Sequence, residues 1–443
     1  MALVVLFAGL AVIAAAVVAV LRRIDVRLVL IVAALALGAL AGTPAVIVRT
    51  FVSTFSSEQF VVPIGCAVGF AYVLRHTGCE QHLVQLLVRP LRRARWLLIP
   101  GVVLVGFAVN VPVISQVGTA VSIGAVLVPL LRAARVSAVT TGAALLLGCS
   151  LGGDLLNPGA PEWQTVAKAL DVDATVCVPR VLPLLLLQVA VATTIFWALS
   201  LRAEANQKPT AAKAEEAPPE FRVNYLKAAV PLVPVVLLFL TGPPLQLFQV
   251  PKAWLTTPDD LKRFDSRLIG AAMLVGVIVA AAVSPRAALG TAKAFFEGAG
   301  YAMTNIISLI VAAACFGKGV EGIGVKEMLG QVIGARPGLL LPAAGLLPLG
   351  FAVVCGSGMA TTQALFGFFV DPAQAAGTDP LLVGSVVAVV ASAGRTMSPV
   401  AAIVLMSATM TGSDPLALVR RVAVPLLCGV AVIIIAAALL ARG

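Results

Sequence analysis

The chain has 443 residues, 60% hydrophobic and 12% charged, with a mean hydropathy of +1.04 and a formal net charge of +11. That composition excludes a soluble globular protein, and it removes nucleic acid as the reason for the positive charge, because the basic residues sit in short loops between apolar runs. The seven cysteines are scattered without a CxxC pair, so they read as small packing residues rather than a metal or disulfide framework.

In chain order, apolar stretches of bilayer-spanning length fall near 2–21, 28–48, 59–74, 137–157 and 178–201. Five more follow near 228–244, 268–285, 301–316, 381–405 and 422–441. The first lacks a basic leading segment and runs straight into Arg22-Arg23, so it reads as a retained span and not a signal peptide. Two stretches, 96–131 and 338–370, are too long for one span and are interrupted in the middle; each reads as a re-entrant hairpin that returns to its own side. Residues 202–227, rich in Ala, Pro, Lys and Glu, read as a polar cytoplasmic linker between a first membrane unit, 1–201, and a second, 228–443. The expected fold is an all-α membrane protein of about ten spans plus two hairpins.

The two halves resemble each other. Gly106-Phe107-Ala108-Val109 recurs as Gly350-Phe351-Ala352-Val353, and Val73 to Gly78 stands opposite Gly319 to Gly324. Asn157-Pro158, preceded by Gly153-Asp154, answers to Ser398-Pro399, preceded by Gly394-Arg395. The order is the same and the offset nearly constant. An odd number of crossings in the first half then makes the second repeat inverted. With Arg22, Arg23 and Arg27 in the cytoplasm, most Lys and Arg fall inside; the loop 242–267, carrying Lys252, Lys262, Arg263 and Arg267, is assigned outside against that bias.

The chemistry concentrates at the interruptions. Gly384 to Ala408 is apolar at both ends and polar in its middle, Gly394-Arg395-Thr396-Met397-Ser398-Pro399. A guanidinium in mid-membrane costs at least ~2.5–3.5 kcal/mol and survives by facing a cavity or a partner, while the proline removes a helical hydrogen bond. The hairpin tips, Asn110 to Thr119 and Cys355 to Gln363, mix Gly or Pro with hydroxyl and amide side chains. Helices that restart there aim N–H groups and a positive dipole end at an anion; the alternative is that the small residues serve close helix packing. At one repeat position the halves carry opposite charges, Asp154 and Arg395. These form either a structural ion pair or a functional division, with Arg395 on a substrate carboxylate and Asp154 on a coupling cation or proton. Glu162, just beyond the first break, is a further coupling candidate or a residue at the membrane surface. His76, His82 and the run Arg89 to Arg95 read as loop or headgroup contacts. No phosphate-binding loop, GxSxG elbow or HExxH motif occurs, which leaves gradient-driven transport rather than enzymatic chemistry.

Gly394 to Val400, the Gly356-Ser357-Gly358 tip, and Val68-Gly69-Phe70-Ala71-Tyr72 followed by His76-Thr77-Gly78 resemble the anaerobic C4-dicarboxylate carrier (DcuC-type) family of the ion transporter superfamily, over residues 60–443. The resemblance implies carriage of succinate, fumarate or malate by exchange, efflux or cation-coupled uptake. It also implies an elevator-type fold of inverted repeats, usually homodimeric, in which hairpins and broken helices move against a static scaffold. The first tip departs from the Ser/Thr/Gly-rich family pattern, Pro158-Gly159-Ala160-Pro161-Glu162 keeps the acid but loses a serine, and the second tip, Cys355 to Thr362, is altered in its later residues.

The expected function is therefore secondary active transport of small carboxylates across a bacterial cytoplasmic membrane, with no enzyme activity. Substrate binding is assigned to Asn110, Ser115, Gln116, Thr119, Gly356, Ser357, Gly358, Thr361, Thr362, Arg395, Thr396 and Ser398. Ion coupling is assigned to Asp154, Asn157 and Glu162, with Na+ or H+ as the coupling ion, a Na+ site near Asn157 and Ser398, and no other cofactor. The expected partners are the carboxylate, the lipid bilayer and a second copy of the chain, not nucleic acid. On the residues alone, a sodium/proton antiporter and a receptor-like membrane protein without a transport cycle stay open.

Overall fold

The computed structural model describes residues 2–22, 24–91, 97–205, 221–242 and 245–441. Residues 206–220 of the polar linker, and Arg92, Arg93 and Arg95 of the basic loop, lie outside them. Among the described residues every regular element is helical, the form in which a segment satisfies its own backbone groups in lipid. Eight segments are long and apolar enough to cross a membrane, accompanied by shorter apolar helices of 10–17 residues.

Helices α1 (Ala2–Leu21) and α2 (Val26–Leu40) meet at a corner where Asp25 caps α2. The single span expected over 28–48 is two helices instead, α2 and α3 (Pro44–Phe55). Gly42 takes φ +72 between them and Pro44 opens α3, a stop followed by a restart that hydropathy does not register. Next come α4 (Glu58–Thr77) and α5 (Cys79–Val88), joined at Gly78, φ +73. The first hairpin is α6 (Leu98–Asn110) and α7 (Gln116–Ala133). The broken helix expected over 137–157 runs further, as α8 (Ala138–Ser150) and α9 (Pro161–Leu170), because Pro161 fits the first position of a new helix. Helix α10 (Ala174–Ala205) ends the first half.

The second half holds α11 (Tyr225–Ala229), α12 (Val233–Thr241), α13 (Phe264–Val283) and α14 (Ala288–Ala302). A π-turn over Met303–Ile307 joins α14 to α15 (Ser308–Gly322), so the short span expected over 301–316 is the middle of a much longer helix. Then follow α16 (Val325–Ala335), and α17 (Leu340–Cys355), α18 (Gly358–Leu365) and α19 (Gly367–Ala375), the second hairpin with its continuation. The second broken helix is α20 (Pro380–Thr396) and α21 (Ala402–Thr411), and α22 (Pro415–Leu440) closes the chain.

The main apolar cluster gathers the first hairpin, both broken helices, α10 and α22. Helices α8 and α20 are buried almost along their whole length, so the polar centres of the two broken helices sit at the middle of the protein. A second cluster packs α1, α2 and α3 on α15. A third joins Phe60, Ile64 and Val68 of α4 to residues 302–311. Backbones touch in the α4–α14 contact: a Cβ on Gly298 would stand 2.7 Å from the Val68 carbonyl oxygen and 2.8 Å from Gly69 Cα. Gly298→Val is therefore expected to prise α4 from α14 at a cost of ~1–3 kcal/mol. Gly300→Ala, whose Cβ meets nothing within 4 Å, should leave stability unchanged. Thermal unfolding of the detergent-solubilised variants compares the two.

Helix α5 carries a buried acid that the sequence did not single out. Glu80 is only 2% exposed, and its Oε1 has no hydrogen-bond partner. Burial pushes its carboxyl up to about 7, against the opposing pull of a Ser122 hydrogen bond and the Arg75 charge. An acid whose folded pKa exceeds its unfolded value takes up a proton on folding. Its contribution is then fully present at acid pH and is lost as pH rises to about 7. The loss amounts to about 3 kcal/mol. Glu80→Gln should therefore melt above the wild type at pH 8 and converge with it near pH 5; parallel pH profiles for the two proteins would refute this.

Candidate functional site

Each helix break has a local cause. Helix α8 ends where Gly152 takes φ +95, a short turn over Gly153–Leu156 follows, and Pro158 and Pro161 delay the restart. Helix α20 ends at Thr396, with Pro399 between it and α21. In both halves a glycine lets the break approach a hairpin arm. A Cβ on Gly394 would lie 2.6 Å from the Leu349 carbonyl oxygen, and one on Gly153 would run into the Phe107 carbonyl oxygen.

Arg395 stands where the two breaks meet, 3% exposed. Its Nε donates to Ser150 Oγ at 3.2 Å and its Nη2 to the Ser150 carbonyl at 3.4 Å. Its Nη1 makes no hydrogen bond and lies 3.8 Å from Asp154 Oδ2 and 3.9 Å from Glu162 Oε1. Thr396 Oγ1 lies 2.8 Å from Ser150 Oγ and 2.8 Å from the Ser392 carbonyl. Ser150, the last residue of α8, thus ties the ends of the two broken helices together. Its only sequence signal was a small hydroxyl residue at the start of a break.

The acidic partners differ. Asp154 Oδ2 accepts from Gln116 Nε2 at 2.6 Å, which links the first break to the tip of the first hairpin, while Oδ1 has no partner. Glu162, in the first turn of α9, is fully buried within the protein, and neither of its carboxylate oxygens is hydrogen-bonded. It faces the second hairpin, where a Cβ on Gly358 would come 3.4 Å from its Oε1. Asn110 and Asn157 are occupied with backbone. Asn110 accepts from Asp154 N at 3.2 Å and donates to the Val113 carbonyl at 2.9 Å. Asn157 donates to the Val111 carbonyl at 3.0 Å and accepts from Gly159 N at 2.9 Å.

A cavity of about 460 Å³ opens beside Arg395. Both hairpin tips line it. Ser115 caps α7 by accepting from Gly118 N at 3.1 Å, and Ser357 caps α18 by accepting from Ala360 N at 3.2 Å, with Gly356 at φ +72 before it. Two helix N-termini therefore begin on its wall, with their positive dipole ends and amides. Of the residues assigned from sequence, Ser115, Gln116, Gly356, Ser357 and Arg395 face this space. The hydroxyls of Thr119, Thr361 and Thr362 donate to the Val113, Ser357 and Gly358 carbonyls, and so brace the tips from behind. Ser398 Oγ is buried with no partner next to Gly356. Among the described residues no group of three or more His, Cys, Asp or Glu is placed to hold a metal ion. Further lining comes from the α1–α2 corner, with Asp25 and Arg27, from Tyr301 just before the π-turn and from Asn305 within it.

Known proteins share this sequence pattern. The family of C4-dicarboxylate anaerobic carriers, DcuC, matches residues 58–441. The chain belongs to the DcuC family. It is thereby a multi-pass membrane transporter and not an enzyme. It is 23% identical over 396 residues to the anaerobic C4-dicarboxylate transporter DcuC of Escherichia coli K12, over 85% of this chain and 79% of that one. A DcuC relative from Vibrio cholerae is 25% identical over 384 residues, covering 83% of this chain and 79% of its own. Among solved structures, MtrF of Neisseria gonorrhoeae, described within a class of antimetabolite efflux pumps, superposes with a TM-score of 0.58 at 16% identity. The match covers 88% of this chain and 83% of that chain, and at such identity it speaks to fold alone.

Proposed function

We propose that the chain is a secondary active carrier of C4-dicarboxylates such as succinate, fumarate or malate, with its substrate site in the cavity between the hairpin tips. The observation that carries this reading is Arg395: a buried guanidinium with one unbonded amino group, beside a cavity on which two helix N-termini open. One substrate carboxylate takes the unbonded Nη1 of Arg395 and the tip amides, with Ser398 as a further donor. Asp154, Glu162 and Arg395 together carry a formal charge of −1, an arrangement that is costly without a compensating cation. A proton or Na+ supplies it, at Glu162 first, because neither of its oxygens is otherwise engaged.

In this reading 1–201 and 228–443 are inverted repeats joined by the linker 202–227. Support comes from the equivalent corners at Gly78 and Gly324 and from the matching contacts of Gly153 with Phe107 and Gly394 with Leu349. The hairpins and broken helices move as an elevator against a scaffold in a homodimer of the cytoplasmic membrane. Melting of the purified protein against mono-, di- and tricarboxylates, with and without Na+, tests the substrate class. A C4-dicarboxylate at 100 times its Kd should stabilise the carrier by ~2.7 kcal/mol, and no shift with any dicarboxylate would count against the proposal.

A further inference from the structure

The two walls of the cavity have different origins. One is built from Arg395 and the hairpin tips. The other comes from the α1–α2 corner, which precedes the stretch matched by the family, and from the α14–α15 helix at its π-turn. That far wall carries one cation among the described residues, Arg27. Its guanidinium is engaged on three sides: Nε donates to Asp25 Oδ1 at 3.0 Å, Nη2 to Asp25 Oδ2 at 2.7 Å, and Nη1 to the Thr304 carbonyl at 2.7 Å. Thr304 lies within the π-turn, and its carbonyl accepts from Ser308 Oγ at 2.6 Å as well as from Arg27. The fork is thus held against the α14–α15 helix and occupied by a carboxylate from its own chain.

That occupant is readily exchanged. Arg27 and Asp25 are 39% and 48% exposed, and an ion pair of such exposure contributes little to stability. The bidentate fork that suits Asp25 suits any carboxylate. Asp25 keeps other support once displaced, since it also accepts from Arg27 N at 2.8 Å as the cap of α2.

We propose that Arg27 is a substrate-binding residue of the far wall, and that Asp25 is an internal stand-in which the second carboxylate of a dianionic substrate displaces. The assignment rests on the dicarboxylate reading above and extends it to the other end of the molecule. With one carboxylate on Arg395, a four-carbon diacid presents its second charge across the cavity. Without Arg27 that charge would meet Asp25, the apolar side chains of Val20, Ile24 and Val26, and the neutral Tyr301 and Asn305, but no cation among the described residues. A monoanion leaves the Asp25–Arg27 pair closed, so the pair discriminates by the number of charged ends on the substrate.

The test uses full-length Arg27→Gln, Arg27→Lys and Asp25→Asn proteins in proteoliposomes. It reads the KM for labelled succinate and the inhibition of that uptake by butyrate. Arg27→Gln should raise the succinate KM about tenfold or more. Arg27→Lys, which keeps the charge and loses the fork, should raise it less and provides the reading if the glutamine variant does not fold. Asp25→Asn, which still caps α2, should lower the succinate KM several-fold. Inhibition by butyrate should be the same in all. A pair that only holds the corner together would shift both positions in one direction, through a common loss of thermal stability, and that result overturns the proposal. Wild-type uptake with unchanged KM in every variant overturns it alone; a wild type that neither binds nor moves succinate overturns the dicarboxylate reading and this assignment together.

Discussion

Arg395→Ala is expected to lower kcat/KM for succinate by at least about 100-fold, the consequence of deleting one member of a buried charge cluster worth roughly 3–5 kcal/mol. The loss has two sources. The substrate carboxylate loses its cation and its Nη1 donor, and Asp154 and Glu162 are left facing each other with no cation between them. The second effect also lowers stability, which separates the two: acidification should restore the melting temperature of Arg395→Ala without restoring uptake. Arg395→Lys keeps the charge but cannot reproduce the paired bonds from Nε and Nη2 to Ser150. It should fold normally and lose about ten- to a hundredfold in kcat/KM. Unchanged KM for every dicarboxylate in the alanine variant would remove Arg395 from the site.

Glu162→Gln carries the second large effect, on coupling rather than binding. Glutamine mimics the protonated or cation-balanced acid, so the cluster becomes formally neutral and stays so. Succinate-for-succinate exchange should persist, while the dependence of net uptake on a proton or Na+ gradient should fall by about tenfold or more. Asp154→Asn should act more mildly, because the asparagine carbonyl still accepts the Gln116 Nε2 hydrogen bond that links the break to the hairpin tip. In the double variant only Arg395 remains charged, and the protein should exchange anions regardless of the imposed gradient. Glu162→Gln retaining the full gradient dependence would place the coupling ion elsewhere.

Much of the architecture could be read from residues because the bilayer constrains the chain so tightly. Composition alone identified a polytopic helical protein, and Pro158 and Pro399 marked where helices break. The GRT-x-SPV segment pointed to the family that the matched residues 58–441 then established. Hydropathy was silent on punctuation inside apolar runs: Gly42 with Pro44 divides one expected span into two helices, and the π-turn over Met303–Ile307 fuses an expected short span into a long one. At the site, the cluster of Arg395, Asp154 and Glu162 was recognisable as unusual charge near interruptions. Its connections were not. Ser150 reaches Arg395 across 245 residues of sequence, and the Asp25–Arg27 corner reaches the cavity from a segment that reads as an ordinary loop between spans. Periodicity carries no information about such long-range meetings. Glu80 escaped for the opposite reason: at the start of an amphipathic helix it reads as solvated, and it is the packing of other helices against α5, among them α4, α6, α7 and α11, that leaves it buried.

Counterflow of labelled succinate into proteoliposomes loaded with unlabelled succinate tests the central claim most directly. A carrier that binds the dicarboxylate at Arg395 and alternates its exposure should accumulate label transiently above equilibrium, and unlabelled fumarate or malate inside should support the same overshoot. Absence of any overshoot from folded, reconstituted protein, under gradients of both H+ and Na+, would contradict dicarboxylate carriage and leave a cation antiporter as the better description.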